Sequence, residues 1–166
     1  AFRIHGDIMK NISYEEFRDN AKNIAHFLMK GQYSRRASAE IDYSGSSGDP
    51  DPITQTQTRR IGILVRNSSE GISMVVGTYL AASTAIIVDI DKTPLERINL
   101  IFRDAHVHTV LVIDKEEEIV KLLDSAFSVY AWREVIEEDK LLEEGNPVCI
   151  NAPSNEDHPF AIYYTR

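Results

Sequence analysis

The side chains of this sequence whose types and spacing could do chemistry are few. Asp89 and Asp91 form the best-placed pair. They close the run TAIIVDID (84–91), an apolar stretch that reads as a buried parallel strand. Both carboxylates then fall at the carboxyl end of that strand, where open α/β sheets bind ligands. Paired carboxylates there could hold Mg²⁺, although an Asp-rich approach to a helix is equally ordinary. His106 and His108 would share one face of a strand, but two histidines make no metal centre by themselves. Cys149, the only cysteine, has no neighbouring base or cation to generate a thiolate. Arg35-Arg36-Ala37-Ser38 offers a serine behind two basic residues to an acidic kinase groove, and an incidental basic cluster is the plainer reading. The GSSG run at 45–48 lacks the Lys-Ser/Thr and the strand-turn-helix setting of a phosphate loop. The sequons at Asn11 and Asn67 are expected to be unused. We therefore assign no catalytic residue and no metal site from spacing.

The elements that would position these residues are clearer. From Ile61 to Asp114 the chain reads IGILV, NSSEGISMVVGTYLAAS, TAIIVDID, KTPLERINLIFRDAH and VHTVLVID. Three apolar runs of strand length thus alternate with two segments of helical period, a β-α-β-α-β unit. Asn67 is placed to cap the first helix with Glu70 reaching back, and Ile72, Val75, Val76, Tyr79 and Leu80 form its expected buried face. Thr93-Pro94-Leu95-Glu96 predicts a capping box with proline at the first helical position. Ile98, Ile101, Phe102 and Ala105 make the apolar stripe that follows.

Upstream, Ser13 and Glu16 make a capping box for a helix that buries Phe17, Ala21, Ile24, Ala25 and Leu28 and stops at Gly31. Gln32 to Arg60 is rich in Ser, Gly, Asp, Pro, Thr and Gln, and is expected to be a flexible insertion. Downstream, the pattern predicts a helix over 114–126, a strand over 127–130 and a helix from Trp132 to about Glu143. A short strand at 148–150 and a β-type run over 160–164 follow. The fold class is α/β: alternating β-α-β units with a mainly parallel sheet covered by helices, in a single domain spanning 1–166.

Composition bounds the function. With 166 residues, 43% of them hydrophobic, the chain can bury a sizeable core. A net charge of −8 argues against nucleic acid as partner. Ten Asp/Glu against four Lys/Arg between Lys115 and Glu144 read as solvated helix faces rather than an acidic docking surface. There is no membrane-spanning run and no visible signal peptide, and cysteine usage fits a reducing compartment, so a cytoplasmic protein is expected.

Four stretches, in order, resemble the N-terminal part of the adenylate-forming superfamily: acyl- and aryl-CoA synthetases, peptide-synthetase adenylation domains and luciferase. ISYEEF (12–17) is similar to the family's early helix start. IGILVRNSSEGI (61–72) is similar to its "V-x-I-x-x-x-N-S-x-E" segment, and YLAASTAIIVDIDKTPLERI (79–98) to "A-G-A-x-x-V-P-I-D-P-x-x-P-x-E-R-I". FAIYYT (160–165) resembles the strand that delivers the phosphate loop "Y-T-S-G-T-T-G-x-P-K-G". Ala82-Ser83 stands where the family has Ala-Gly, and Arg166 where it has Ser.

The resemblance implies a reaction of a carboxylic acid with ATP and Mg²⁺ to an acyl-adenylate and pyrophosphate. Acyl transfer to the thiol of CoA or of a carrier phosphopantetheine then follows. Thr165 is the one residue placed on a nucleotide-contacting motif, at its first position. The expected consequence is that this chain is the first α/β portion of a larger enzyme, inactive alone and binding no cofactor tightly by itself. Its open sheet edge would be prone to self-association. A non-catalytic module on the same scaffold, or an unrelated flavodoxin-like domain with a ligand near Asp89, are the alternatives.

Overall fold

The computed structural model describes residues 3–4, 7–8, 12–39, 59–66, 68–115, 117–139 and 160–164. The expected parallel sheet is present. Strands β3 (Arg60–Val65), β4 (Thr84–Asp89), β5 (Thr109–Val112), β6 (Ser128–Ala131) and β7 (Ala161–Ile162) lie in the order β6-β5-β3-β4-β7. Every neighbouring pair in it is parallel. A separate antiparallel ribbon is formed by β1 (Arg3–Ile4) and β2 (Asp7–Ile8).

Because side chains alternate along a strand, each strand feeds both faces, and both faces are covered. Ile61, Ile63, Ala85 and Leu111 pack with Ile24 and Leu28 of α1 (Tyr14–Ala39), Met74 of α2 (Ser69–Leu80) and Val135 of α5 (Trp132–Asp139). Leu64, Ile86, Val88, Val110 and Val112 pack on the other face with Ile98 and Phe102 of α3 (Leu95–Asp104) and Val120 of α4 (Glu118–Lys121). This division of helices is what right-handed crossovers dictate for the observed strand order. Gly62 sits under the ring of Phe102, where a Cβ would come within 2.9 Å of Cζ. That ring also meets Phe127 edge-on at 5.7 Å.

Helix α2 departs from its expected orientation. Its buried residues are Gly71, Ser73, Met74, Gly77 and Thr78, while Ile72 is 56% exposed and Val75, Val76, Tyr79 and Leu80 are half-buried. The inward face is the one with small side chains, because α2 is wedged between α1 and the sheet. At Gly77 a Cβ would lie 2.7 Å from the Ala21 carbonyl oxygen, so the two helices touch backbone to backbone. The cap also shifts by one position: Ser68, not Asn67, receives the Gly71 N–H at 3.1 Å. Either side chain has the required acceptor; Asn67 itself lies outside the described residues. In α3, Pro94 is the cap rather than the first helical residue, because its ψ of 149° is extended and no side chain caps it.

Both α2 and α3 end in the same way. Ala82 (φ 50°) and His106 (φ 51°) occupy the left-handed region just past the helix. Ala82 N–H donates to Tyr79 C=O at 2.9 Å and Ser83 N–H to Thr78 C=O at 3.1 Å. His106 N–H donates to Arg103 C=O at 3.0 Å and Val107 N–H to Phe102 C=O at 2.8 Å. These are paired Schellman closures made without glycine.

Ser13 caps α1 as expected, receiving Glu16 N–H at 3.0 Å. Gly31 does not end that helix, which continues to Ala39. An interior glycine costs only about 1 kcal/mol against alanine, and the Ser-Arg-Arg-Ala-Ser-Ala stretch beyond it carries no helix breaker. The expected insertion thus loses its first residues to the helix, and 40–58 lie outside the described residues. The helix expected over 114–126 is a single turn, Glu118–Lys121. Asn99 and Asp124 hold the residues after it in a turn, with Asp124 N–H on Asn99 Oδ1 and Ala126 N–H on Asp124 Oδ1. The expected strand at 148–150 lies outside the described residues. No helix among those described is long and apolar enough to cross a membrane.

Candidate functional site

Loops leaving the carboxyl ends of β3, β4 and β5 converge at one edge of the sheet. Strand β5 lies on one side of β3 and β4 on the other, so the chain leaves β3 and β5 in opposite directions, which opens a crevice there in folds of this kind. Arg66, the residue after β3, fills it. Its Nε donates to Asp91 Oδ1 at 2.9 Å on the β4 side, and its Nη1 to Glu117 Oε1 at 2.5 Å on the β5 side. The Asp91 hydrogen bond, reinforced by Glu117, holds the guanidinium pKa above its ordinary value.

Asp89 and Asp91 are therefore not a paired metal site. Asp89 binds Lys92 Nζ at 2.7 Å through Oδ2 and receives Asp91 N–H at 3.0 Å on Oδ1. Lys92, followed by that backbone N–H, holds the Asp89 carboxyl below the usual carboxylate range against the opposing pull of burial. Each carboxylate already has its own cation. Among the described residues no group of three or more His, Cys, Asp or Glu could hold a metal. His106 and His108 precede β5 instead of lying within it, and both are exposed. The role of His106 is the helix closure described above, and the His108 carbonyl accepts Ser128 N–H at 2.8 Å.

Beside Asp89 a cleft of about 530 Å³ runs between the end of β4 and α3, lined by Asp89, Lys92, Thr93, Arg97, Ile101 and Tyr164 among others. Tyr164 reaches it because β7 runs parallel to β4, with Ala161 opposite Ala85 and Ile162 opposite Ile86. The two strands then deliver their following residues to the same edge. The Tyr164 hydroxyl donates to Asp104 Oδ2 at 2.6 Å. That bond to a carboxylate, with some desolvation, raises the phenol pKa. Thr165, the residue assigned to nucleotide contact, follows immediately and lies outside the described residues, as do Asn11, Cys149 and the GSSG run. Ser38 falls within α1 and not in a loop.

The described residues do not by themselves fit a nucleoside triphosphate. The cleft carries the anionic Asp89, and its Lys92 is already bound to that carboxylate. We derive no step of phosphate chemistry from them. Sequence reasoning missed Arg66, Glu117 and the Tyr164–Asp104 pair. Only Arg66 carried a signal, as a cation placed directly after a buried strand. In the described part of the acidic segment, Lys115 binds Glu134 and Arg103 binds Asp124.

Solved structures share this architecture. The chain superimposes on the nonribosomal peptide synthetase FmoA3 with a TM-score of 0.64 at 15% identity, covering 96% of this chain and 14% of that one. The fold is that of an adenylation domain's N-terminal portion. O-succinylbenzoate coenzyme A synthetase (MenE) from Bacillus subtilis, solved with AMP, gives a TM-score of 0.55 at 15% identity, covering 86% of this chain and 30% of that. The N-terminal subdomain of Klebsiella oxytoca NpsA gives 0.56 at 14% identity, covering 82% and 28%; NpsA is also known in an artificially fused adenylation–PCP di-domain. The chain thus spans less than a third of the length of each of these proteins. No family profile and no curated relative matches it by sequence. The expected resemblance holds at the level of fold: a five-stranded parallel sheet covered by helices, as in the N-terminal portions of these structures.

Proposed function

We propose that this chain is the opening α/β portion of an adenylate-forming ligase. In the complete enzyme, a carboxylic acid and MgATP give an acyl-adenylate and pyrophosphate, and the acyl group then passes to a thiol. The observation that carries the reading is the placement of β7. Its parallel register on β4 brings Tyr164 to the carboxyl edge of the sheet, and in the sequence Tyr164 directly precedes Thr165, where the resemblance starts the phosphate-loop motif. A loop arriving there can present backbone N–H groups to phosphate oxygens, the preorganised electrostatics on which phosphoryl chemistry depends.

The thiol acceptor is CoA or a carrier phosphopantetheine. Both classes have counterparts among proteins of this fold, one named a coenzyme A synthetase and one fused to a PCP. Thr165 is the residue of this chain assigned to ATP, and ATP with Mg²⁺ belongs to the complete enzyme. The protein works in the cytoplasm, and the chain alone does not adenylate. Left by itself it self-associates through the outer edge of β7, beside exposed Phe160 and Tyr163.

The test is ATP–pyrophosphate exchange with a panel of fatty, aryl and amino acids, run on this chain and on the longest protein its gene encodes. Exchange by the longer protein alone supports the reading. Exchange by the 166-residue chain overturns the division of labour. Silence from both, with every acid tried, sinks the ligase reading in favour of a binding module.

A further inference from the structure

Asp104 is the last residue of α3, where a carboxylate meets the negative end of the helix dipole and is disfavoured. Its compensation is the Tyr164 hydroxyl at 2.6 Å. The same tyrosine lines the cleft with Arg97 and Ile101. Arg97, Ile101 and Asp104 stand at i, i+4 and i+7, one face of α3, so the cleft that Tyr164 lines and the carboxylate its hydroxyl reaches belong to the same helix face. Strand β7 is only two residues long, which leaves the sheet a weak grip on the chain at this point. The side chain of Tyr164 supplies the second grip, one residue before Thr165.

We propose that Asp104 is a positioning residue for the nucleotide site. Through the Tyr164 phenol it fixes where the chain leaves the sheet for the phosphate loop. This rests on the adenylate-forming reading above. Asp104 acts through its hydrogen bond to Tyr164, the residue that precedes Thr165 in the sequence.

The experiment uses the longest protein the gene encodes, with Asp104→Ala, Asp104→Asn, Tyr164→Phe and the Ala/Phe double variant. ATP–pyrophosphate exchange is measured against ATP concentration, with thermal unfolding as a check on folding. Loss of one partly exposed hydrogen bond predicts a rise of about fivefold in KM for ATP. Asp104→Ala and Tyr164→Phe should show it equally, with kcat and the KM for the carboxylic acid within twofold of wild type. The double variant should lose no more than either single one, because the two side chains act as a unit. Asp104→Asn, which keeps an acceptor oxygen, should restore most of the affinity. A merely structural role would instead lower the melting temperature and leave KM for ATP unmoved. Unchanged KM in Asp104→Ala, additive losses in the double variant, or equal loss in Asn and Ala would each overturn the assignment. A wild-type protein that exchanges while all variants match it refutes only the positioning role. A wild-type protein that does not exchange refutes both. If Asp104→Ala fails to fold, Tyr164→Phe and Asp104→Asn still decide the question.

Discussion

Replacing Gly77 with alanine should destabilise the fold, although alanine is the better helix former. The helix-propensity gain is about 1 kcal/mol. Against it stands the contact with α1: the new Cβ would lie 2.6 Å from Ile24 Cβ, 2.7 Å from Ile24 Cγ2 and 2.7 Å from the Ala21 carbonyl oxygen. Carbon–carbon contact distances are about 3.5–4.0 Å, so α2 must move roughly 1 Å off α1. Two of the three obstacles are backbone or branch-point atoms that no rotamer change can withdraw. Overpacking of this kind costs about 1–3 kcal/mol, with the upper end fitting a backbone obstacle. The net expectation is a loss of about 1–2 kcal/mol, or roughly 2–8 °C in melting temperature for a chain of this size. Ile72→Ala on the same helix is the control. Its side chain is 56% exposed, so truncation should cost no more than about 0.5 kcal/mol. Urea and thermal unfolding of the two variants side by side give the comparison. If Gly77→Ala is as stable as wild type, or Ile72→Ala is the more damaging, the assigned α1–α2 contact is wrong.

Ala82→Gly and His106→Gly should each stabilise the fold by about 0.5 kcal/mol in urea unfolding. Relief of a left-handed residue is worth about 1–2 kcal/mol, partly offset by the entropy of a glycine in the unfolded chain. Thr78→Val should leave stability equal or raise it by up to about 1 kcal/mol. The Thr78 hydroxyl is fully buried and has no partner among the described residues. Asp89→Asn should flatten the acid side of the stability–pH curve. The folded carboxyl is held below its ordinary pKa by Lys92, so its contribution is present above the unfolded value of about 4 and is lost as pH falls through the folded value. Melting curves of the two proteins should differ at pH 6 and converge below about pH 3; a constant gap across that range would contradict the pairing.

The sheet was legible because its strands are buried on both faces. Runs such as Ile61–Val65 and Thr109–Val112 state their burial in composition alone. Helix α3 was legible for a related reason: it meets the sheet with one side only, so Ile98, Ile101 and Phe102 record that side. Helix α2 was misread because it has two neighbours. Between α1 and the sheet, close approach selects small residues, and the large apolar ones are displaced to the flank. There Ile72 is exposed, and Tyr79 meets Phe160 edge-on at 5.1 Å. A rule that equates apolar with inward fails wherever the backbone itself is the packing surface.

The candidate site was legible only in its position. Local pattern puts Asp89 and Asp91 at the carboxyl end of a parallel strand; the strand order that brings the end of β7 to the same edge comes from the structure. Which charges meet there does not follow from local pattern either, since Arg66–Glu117 spans 51 positions and Tyr164–Asp104 spans 60. Those pairings change the chemistry assigned to the edge. Two aspartates read in isolation suggest a divalent cation; the same two bound to Arg66 and Lys92 serve to brace the loops after β3 and β4. An edge braced in this way suits a site whose reactive groups arrive from elsewhere. Arg66 ties the loop after β3 to the one after β4 through Asp91 and to the one after β5 through Glu117. Under the proposed function, the described residue nearest in sequence to the phosphate-loop motif is Tyr164. It is the one described side chain that joins the scaffold, through Asp104, to the residue where nucleotide contact is proposed to begin.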